Sequence, residues 1–168
     1  MKKSVTLILF LAVTFPSLAS TAKVTRILDG DTIEVKMPSE DTPVTEISVR
    51  VRLTGIDAPE KQQPYGQRSK QHLADMIGGK WVTMAIDGHD RYNRILGDVF
   101  IKQCATKCEA VSVNAAMVKA GMAWAYRYHN VAVNPHMAAL EVTARSEGLG
   151  LWRDKKPVEP WKWRQEHK

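Results

Sequence analysis

The stretch Glu46-Ile47-Ser48-Val49-Arg50-Val51-Arg52-Leu53-Thr54-Gly55-Ile56-Asp57-Ala58-Pro59-Glu60 decides the fold. Up to Leu53 it alternates: Ile47, Val49, Val51 and Leu53 face one way, and Ser48, Arg50 and Arg52 the other. A period of two is that of a strand with one buried and one polar face. Two arginines therefore share the polar face. Gly55 to Pro64 follows as a loop carrying Asp57, Ala58, Pro59 and Glu60.

Upstream, Lys23 to Leu28 and Thr32 to Met37 read as strands around Asp29-Gly30-Asp31, a turn cluster that predicts a hairpin. Pro38 to Pro43 is polar and turn-like. Downstream, Gln67 to Ile77 predicts a helix with Leu73, Met76 and Ile77 on one side, ended by Gly78-Gly79. Trp81 to Ile86 is a strand, Asp87 to Asn93 a polar loop, and Arg94 to Gln103 a strand again. Ser112 caps a helix through Ala120, closed by Gly121. Asn134-Pro135 opens another that runs to about Glu147, with Met137, Leu140 and Ala144 apolar and Glu141 and Arg145 as an i,i+4 pair. Five strands interrupted by one helix fit a small OB-type barrel, and two further helices pack against it. The class is α+β, mainly β, with three helices.

Met1, Lys2 and Lys3, the apolar run Val5 to Phe15, Pro16 and the small residues up to Ala19 form the pattern of an export signal, cleaved after Ala19 or as late as Ala22. The run is shorter than the roughly 20 residues a membrane-spanning helix needs. No membrane anchor is expected after cleavage. Residues 20–153 then make one domain, and 154–168 a basic tail. Trp152, Trp161 and Trp163 are expected to pack that tail on the domain surface, with base stacking as the alternative. The formal charge is +6; loss of Lys2 and Lys3 removes two charges and leaves +4, which suits a polyanionic partner. Cys104 and Cys108, the only cysteines, are either a local disulfide of an exported chain or two free thiols. His72, His89, His129, His136 and His167 lack zinc spacing.

Asp31 and Asp57 each follow a strand or turn, so their carboxylates can share a hard cation if the strand ends meet. The alternative is two solvated turns, since Asp-Gly and Asp-x-Pro are ordinary turn chemistry. Arg52 and Arg94 each sit by a polar loop. Guanidinium forks match phosphate oxygens, though two surface ion pairs would use the same residues.

Three segments together resemble the signatures of the staphylococcal nuclease family: Ile27 to Thr32, Val51 to Glu60, and Asp90-Arg91-Tyr92-Asn93-Arg94. They occur in the family's order and at similar spacing. Tyr65-Gly66, Val113-Asn114 through Gly121, and Gly148-Leu149-Gly150-Leu151-Trp152 resemble further landmarks, so the likeness covers about residues 23–153. It implies the staphylococcal nuclease fold, a single calcium ion, and hydrolysis of DNA and RNA at the 5′ P–O bond to leave 3′-phosphates. By resemblance Asp31, Asp57 and the Ala58 backbone carbonyl bind the metal. Glu60 activates water, and Arg52 and Arg94 grip the scissile phosphate. Arg91 and Tyr92 contact a terminal phosphate, and Tyr126 and Tyr128 lie beside the base. Ala58 stands where the best-known member has threonine, which spares the carbonyl. No stable protein partner is implied and a monomer is expected. The competing readings are a non-catalytic OB-type module that binds nucleic acid and an exported adaptor. A binding module has no reason to hold three carboxylates facing a phosphate, which they repel.

Overall fold

The computed structural model describes residues 19–39 and 45–167. Residues 1–18 of the expected export signal and most of the Pro38–Pro43 loop fall outside them.

The strands are β1 (Ala19–Ile27), β2 (Thr32–Pro38) and β3 (Glu46–Leu53), then β5 (Trp81–His89), β6 (Ile95–Cys104) and β7 (Cys108–Ser112), with a two-residue β4 (Ile56–Asp57) after β3. The sheet order is β3-β2-β1-β5-β6-β7, antiparallel between neighbours. Parallel pairing of β3 with β6, Val51 beside Ile95, closes the first five into a barrel. Closure leaves no open edge among those strands. The alternation in β3 holds where it matters: Val51 and Leu53 are buried while Ile47, at the strand's start, is exposed. Ala22, Val24, Ile33, Val35, Val51, Leu53, Met84 and Val99 fill the interior.

Helix α1 (Gly66–Ile77) covers the barrel with Leu73 and Ile77. Helix α2 (Val113–Lys119) starts where Ser112 Oγ accepts from Ala115 N, and α3 (Pro135–Ser146) where Asn134 Oδ1 accepts from His136 N and Met137 N, as the cap residues require. Buried Asn114 bonds Thr54 O, Gly97 O and Val99 N, so it ties α2 to the ends of β3 and β6.

The structure differs from the sequence expectation in three places. β5 runs on to His89 through a register shift between Ile86 and Gly88, which takes up part of the expected loop. β7 and the short strands β8 (Trp124–Ala125), β9 (Arg127–Tyr128) and β10 (Val131–Ala132) are additional. They are too short, or too polar, to carry a readable period. The stretch after 153 is partly helical, which was not expected. A 3-10 turn (Gly150–Arg153) leads to a fourth helix, α4 (Pro160–Glu166). Trp152 and Trp161 lie edge-on to Trp124, at 4.4 and 5.6 Å between centroids, and these two pack the segment down as expected, whereas Trp163 stacks on His167 of the same segment at 3.8 Å. Cys104 and Cys108 are joined by a disulfide across the exposed end of the β6–β7 hairpin.

Candidate active site

The β1–β2 turn and the β3–β4 loop meet because Asp31 holds both. Its carbonyl accepts from Leu53 N at 2.8 Å and its carboxylate Oδ2 accepts from Ala58 N at 2.6 Å. The approach requires Gly30. A Cβ there would lie 1.9 Å from Ser69 Oγ of α1 and 2.7 Å from Ala58 Cβ. The loop is also fixed from its far side. A Cβ on Gly66 would lie 1.9 Å from the Glu60 carbonyl oxygen, so only glycine lets α1 start against Glu60.

These contacts gather the charged residues. Arg52 reaches off the polar face of β3 between two carboxylates: Nη1 pairs with Asp31 Oδ2, and Nη2 donates to Asp57 Oδ1 at 2.9 Å. Asp57 is 1% exposed. Burial pushes its carboxyl up, and Asp31 adds repulsion, against hydrogen bonding from Arg164 and attraction from Arg52. Burial opposes the charge of Arg52, yet Asp31 and Asp57 outweigh that and push its pKa up. Asp29 is pushed up to about 7, first by burial and then by the neighbouring Asp31. The site thus carries more carboxylate than its arginines neutralise.

Arg94 stands across the cleft, its Nε and Nη2 both donating to Asp90 Oδ2 at 2.8 and 2.7 Å. Asp90 Oδ1 accepts from the Tyr92 and Arg94 backbone. Against burial, which raises it, these bonds hold the Asp90 carboxyl below the usual range. The guanidinium groups of Arg91 and Arg94 lie 4.9 and 5.6 Å from the Tyr92 ring centroid.

One open cleft of about 670 Å³ joins Asp31, Arg52, Asp57, Ala58, Glu60, Arg91, Tyr92, Arg94 and Tyr126. The expected residues therefore come together, with one exception. Tyr128 does not line the cleft; it is exposed on β9 with its ring edge-on to His129. Tyr128 leads directly into the β9–β10 turn, where His129 and Asn130 both have positive φ, while Arg127 before it turns to Glu141. Two residues were missed from the sequence. Asp29 was read only as part of the turn, although Asp-x-Asp places two carboxylates side by side. Arg164 enters from α4, and only Pro160 at a helix start and the tryptophans around it signalled an ordered segment there.

Among the described residues, no three His, Cys, Asp or Glu form a ready-made metal cage. The cleft offers only oxygen donors, with no histidine or cysteine in its lining. Crowded carboxylates that repel each other, with oxygens as the sole donors, fit a hard divalent cation completed by water and substrate oxygen.

Comparison with known proteins agrees with this geometry. The profile of the family described as Staphylococcal nuclease homologue matches residues 50–154. The chain is 42% identical over 166 residues to an uncharacterized endonuclease of Escherichia coli, covering 98% of each. It is 43% identical over 148 residues to a micrococcal nuclease of Shigella flexneri, covering 87% of this chain and 81% of that one. Protein ParB of Escherichia coli is 47% identical over 146 residues, covering 86% and 78%.

Proposed function

The chain belongs to the staphylococcal nuclease family and hydrolyses phosphodiester bonds of nucleic acid, and from this premise we propose that it is an exported, calcium-dependent endonuclease that cleaves DNA and RNA at the 5′ P–O bond and leaves 3′-phosphates. The observation that carries the reading is the Asp31–Arg52–Asp57 cluster with Glu60 and Arg94 in one cleft. A non-catalytic binding module has no reason to face a polyanion with these carboxylates.

Asp31, Asp57 and the Ala58 carbonyl would hold one calcium ion, which when bound supplies a Lewis acid to a phosphate oxygen. Arg52 and Arg94 point guanidinium donors to where negative charge would grow on phosphate oxygens. Their donors therefore favour the transition state over the bound substrate. Glu60 orients water and takes its proton. Asp90 fixes Arg94 before substrate arrives, so little reorganisation is needed. Arg91, Tyr92 and Tyr126 extend the cleft for neighbouring phosphate and base. The route to a secreted or periplasmic site is supported by residues 1–19 of the sequence and by the disulfide. Cleavage after Ala19 removes only the first residue of β1 and its pairing with Ala85, whereas cleavage after Ala22 also removes buried Ala22 and its pairing with Val82.

The test is the full chain expressed with its leader. Its exported form should begin at Ser20 by intact mass. It should degrade single-stranded DNA and RNA with added calcium, leave 3′-phosphate ends, and stop in chelator. Undiminished turnover in excess chelator would rule out the metal role.

A further inference from the structure

Helix α4 lies beyond the residues that match the family profile, 50–154, yet it delivers a guanidinium into the cleft. Arg164 Nη2 donates to Asp57 Oδ2 at 2.8 Å and Nη1 to Glu60 Oε1 at 2.7 Å, with a longer bond to Asp57 Oδ1 at 3.2 Å. Arg52 holds Asp57 through Oδ1. Among the described residues, Arg164 is the only hydrogen-bond partner of the Glu60 carboxylate. That side chain is 37% exposed, so without the contact it would be free to change rotamer.

The helix that carries Arg164 is anchored. Pro160 is buried, Trp161 packs edge-on to Trp124, and Gln63 Nε2 donates to Val158 O at 2.6 Å. Trp124 pairs with Asp57 in the β4–β8 ladder, and Gln63 Oε1 accepts from Glu60 N. The anchors and the guanidinium therefore grip the same short segment, 57–63. Burial opposes the charge of Arg164, but Asp57 and Glu60 outweigh it and push its pKa up.

We propose that Arg164 is a positioning residue of the nuclease site: its guanidinium fork locks Glu60 to Asp57, and α4 is a working part of the active site. The proposal rests on the reading that Glu60 handles the attacking water. A glutamate displaced by about 1 Å can lose on the order of a hundredfold in rate.

The experiment compares full-length wild type, Arg164→Ala and Arg164→Lys by steady-state kinetics on single-stranded DNA, calcium calorimetry and thermal melting. Arg164→Ala should lower kcat by about tenfold to a hundredfold with KM within about threefold, since ground-state binding is spared. Its melting temperature should barely move, and calcium should bind no more tightly than to wild type. Lysine should restore only part of kcat, because a point charge cannot bridge both carboxylates. Normal kcat in Arg164→Ala, or a change confined to KM, overturns the proposal. So does faster turnover with tighter calcium binding, which would make Arg164 a block on the metal site. If wild type works only with another divalent ion, the calcium reading fails alone. The kcat ratio measured with that ion still decides the role of Arg164.

Discussion

Two buried carboxylates are each clasped by two arginines: Asp57 on β4, and Glu141 on α3, which bonds the facing strand β8 at Ala125. Glu141 takes Arg127 Nη2 at 2.7 Å, Arg145 Nη2 at 3.0 Å and the Ala125 backbone N–H at 2.7 Å. Both of its arginines lie over tryptophan rings, Arg127 over Trp124 and Trp161, and Arg145 over Trp124 and Trp152. Its cluster is closed, and the arginines outnumber the acid. Asp57 takes Arg52 and Arg164 but opens on the cleft, with Asp29, Asp31 and Glu60 nearby. There the acids outnumber the arginines. The difference teaches how to tell a structural ion cluster from a working one. One carboxylate held by two arginines under aromatic cover ties a helix in place; surplus carboxylate facing an open cleft suits a cation and a substrate.

The sharpest break of this comparison is Asp57→Asn. Turnover should fall roughly a thousandfold, about 4 kcal/mol in activation energy, because a carboxylate proposed to hold the cation is lost. Stability should change by less than about 1 kcal/mol, since Arg52 keeps Asp31, Arg164 keeps Glu60, and one repelling charge is gone. A thermal melt and a nuclease assay on the same sample read both. A large drop in melting temperature would show that Asp57 is structural in the way Glu141 is.

Glu141→Gln should do the reverse. Arg145 loses its only ion pair among the described residues and Arg127 keeps only the Ala125 carbonyl. Both side chains are partly exposed, which softens the effect to about 2–3 kcal/mol, or a melting temperature lower by on the order of 5–10 °C. Turnover of the folded fraction, measured well below the melt, should stay close to wild type. A rate loss like that of Asp57→Asn would erase the distinction between the clusters.

The smallest effect is expected far from both. Cys104→Ser opens a loop of sequence separation 4 at an exposed hairpin end. Loop-closure entropy limits the loss to about 2 kcal/mol. Denaturant melts should show it, while nuclease activity stays unchanged. An activity loss would connect the β6–β7 hairpin to the cleft, which it does not line.

Much of the barrel was legible because its signals are local. The alternation in β3, the Ser112 and Asn134 caps, and the turn at Asp29-Gly30-Asp31 each depend on neighbours a few residues away. The site was legible for another reason. Asp31, Arg52, Asp57, Glu60 and Arg94 lie in three short segments that resemble a known family, and the barrel brings all three to one cleft. Tyr128 was misplaced because a two-residue strand gives no pattern that says which face is inward. The two-residue strands themselves went unread for the same reason.

By itself the sequence determined the order of the five barrel strands and the first three helices, the capped helix starts and the residue types that meet a phosphate. Periodicity and capping are short-range, and they survive without knowledge of the rest of the chain. Only the tertiary structure decided that β3 closes on β6 in parallel, and that Glu141 is the buried hub of Arg127 and Arg145. It alone decided that Arg164 reaches Asp57 across 107 residues of sequence. Such pairings follow from where the packed core sends the chain, and here the packing of Trp161 on Trp124 aims an otherwise ordinary surface arginine at the carboxylates of the cleft.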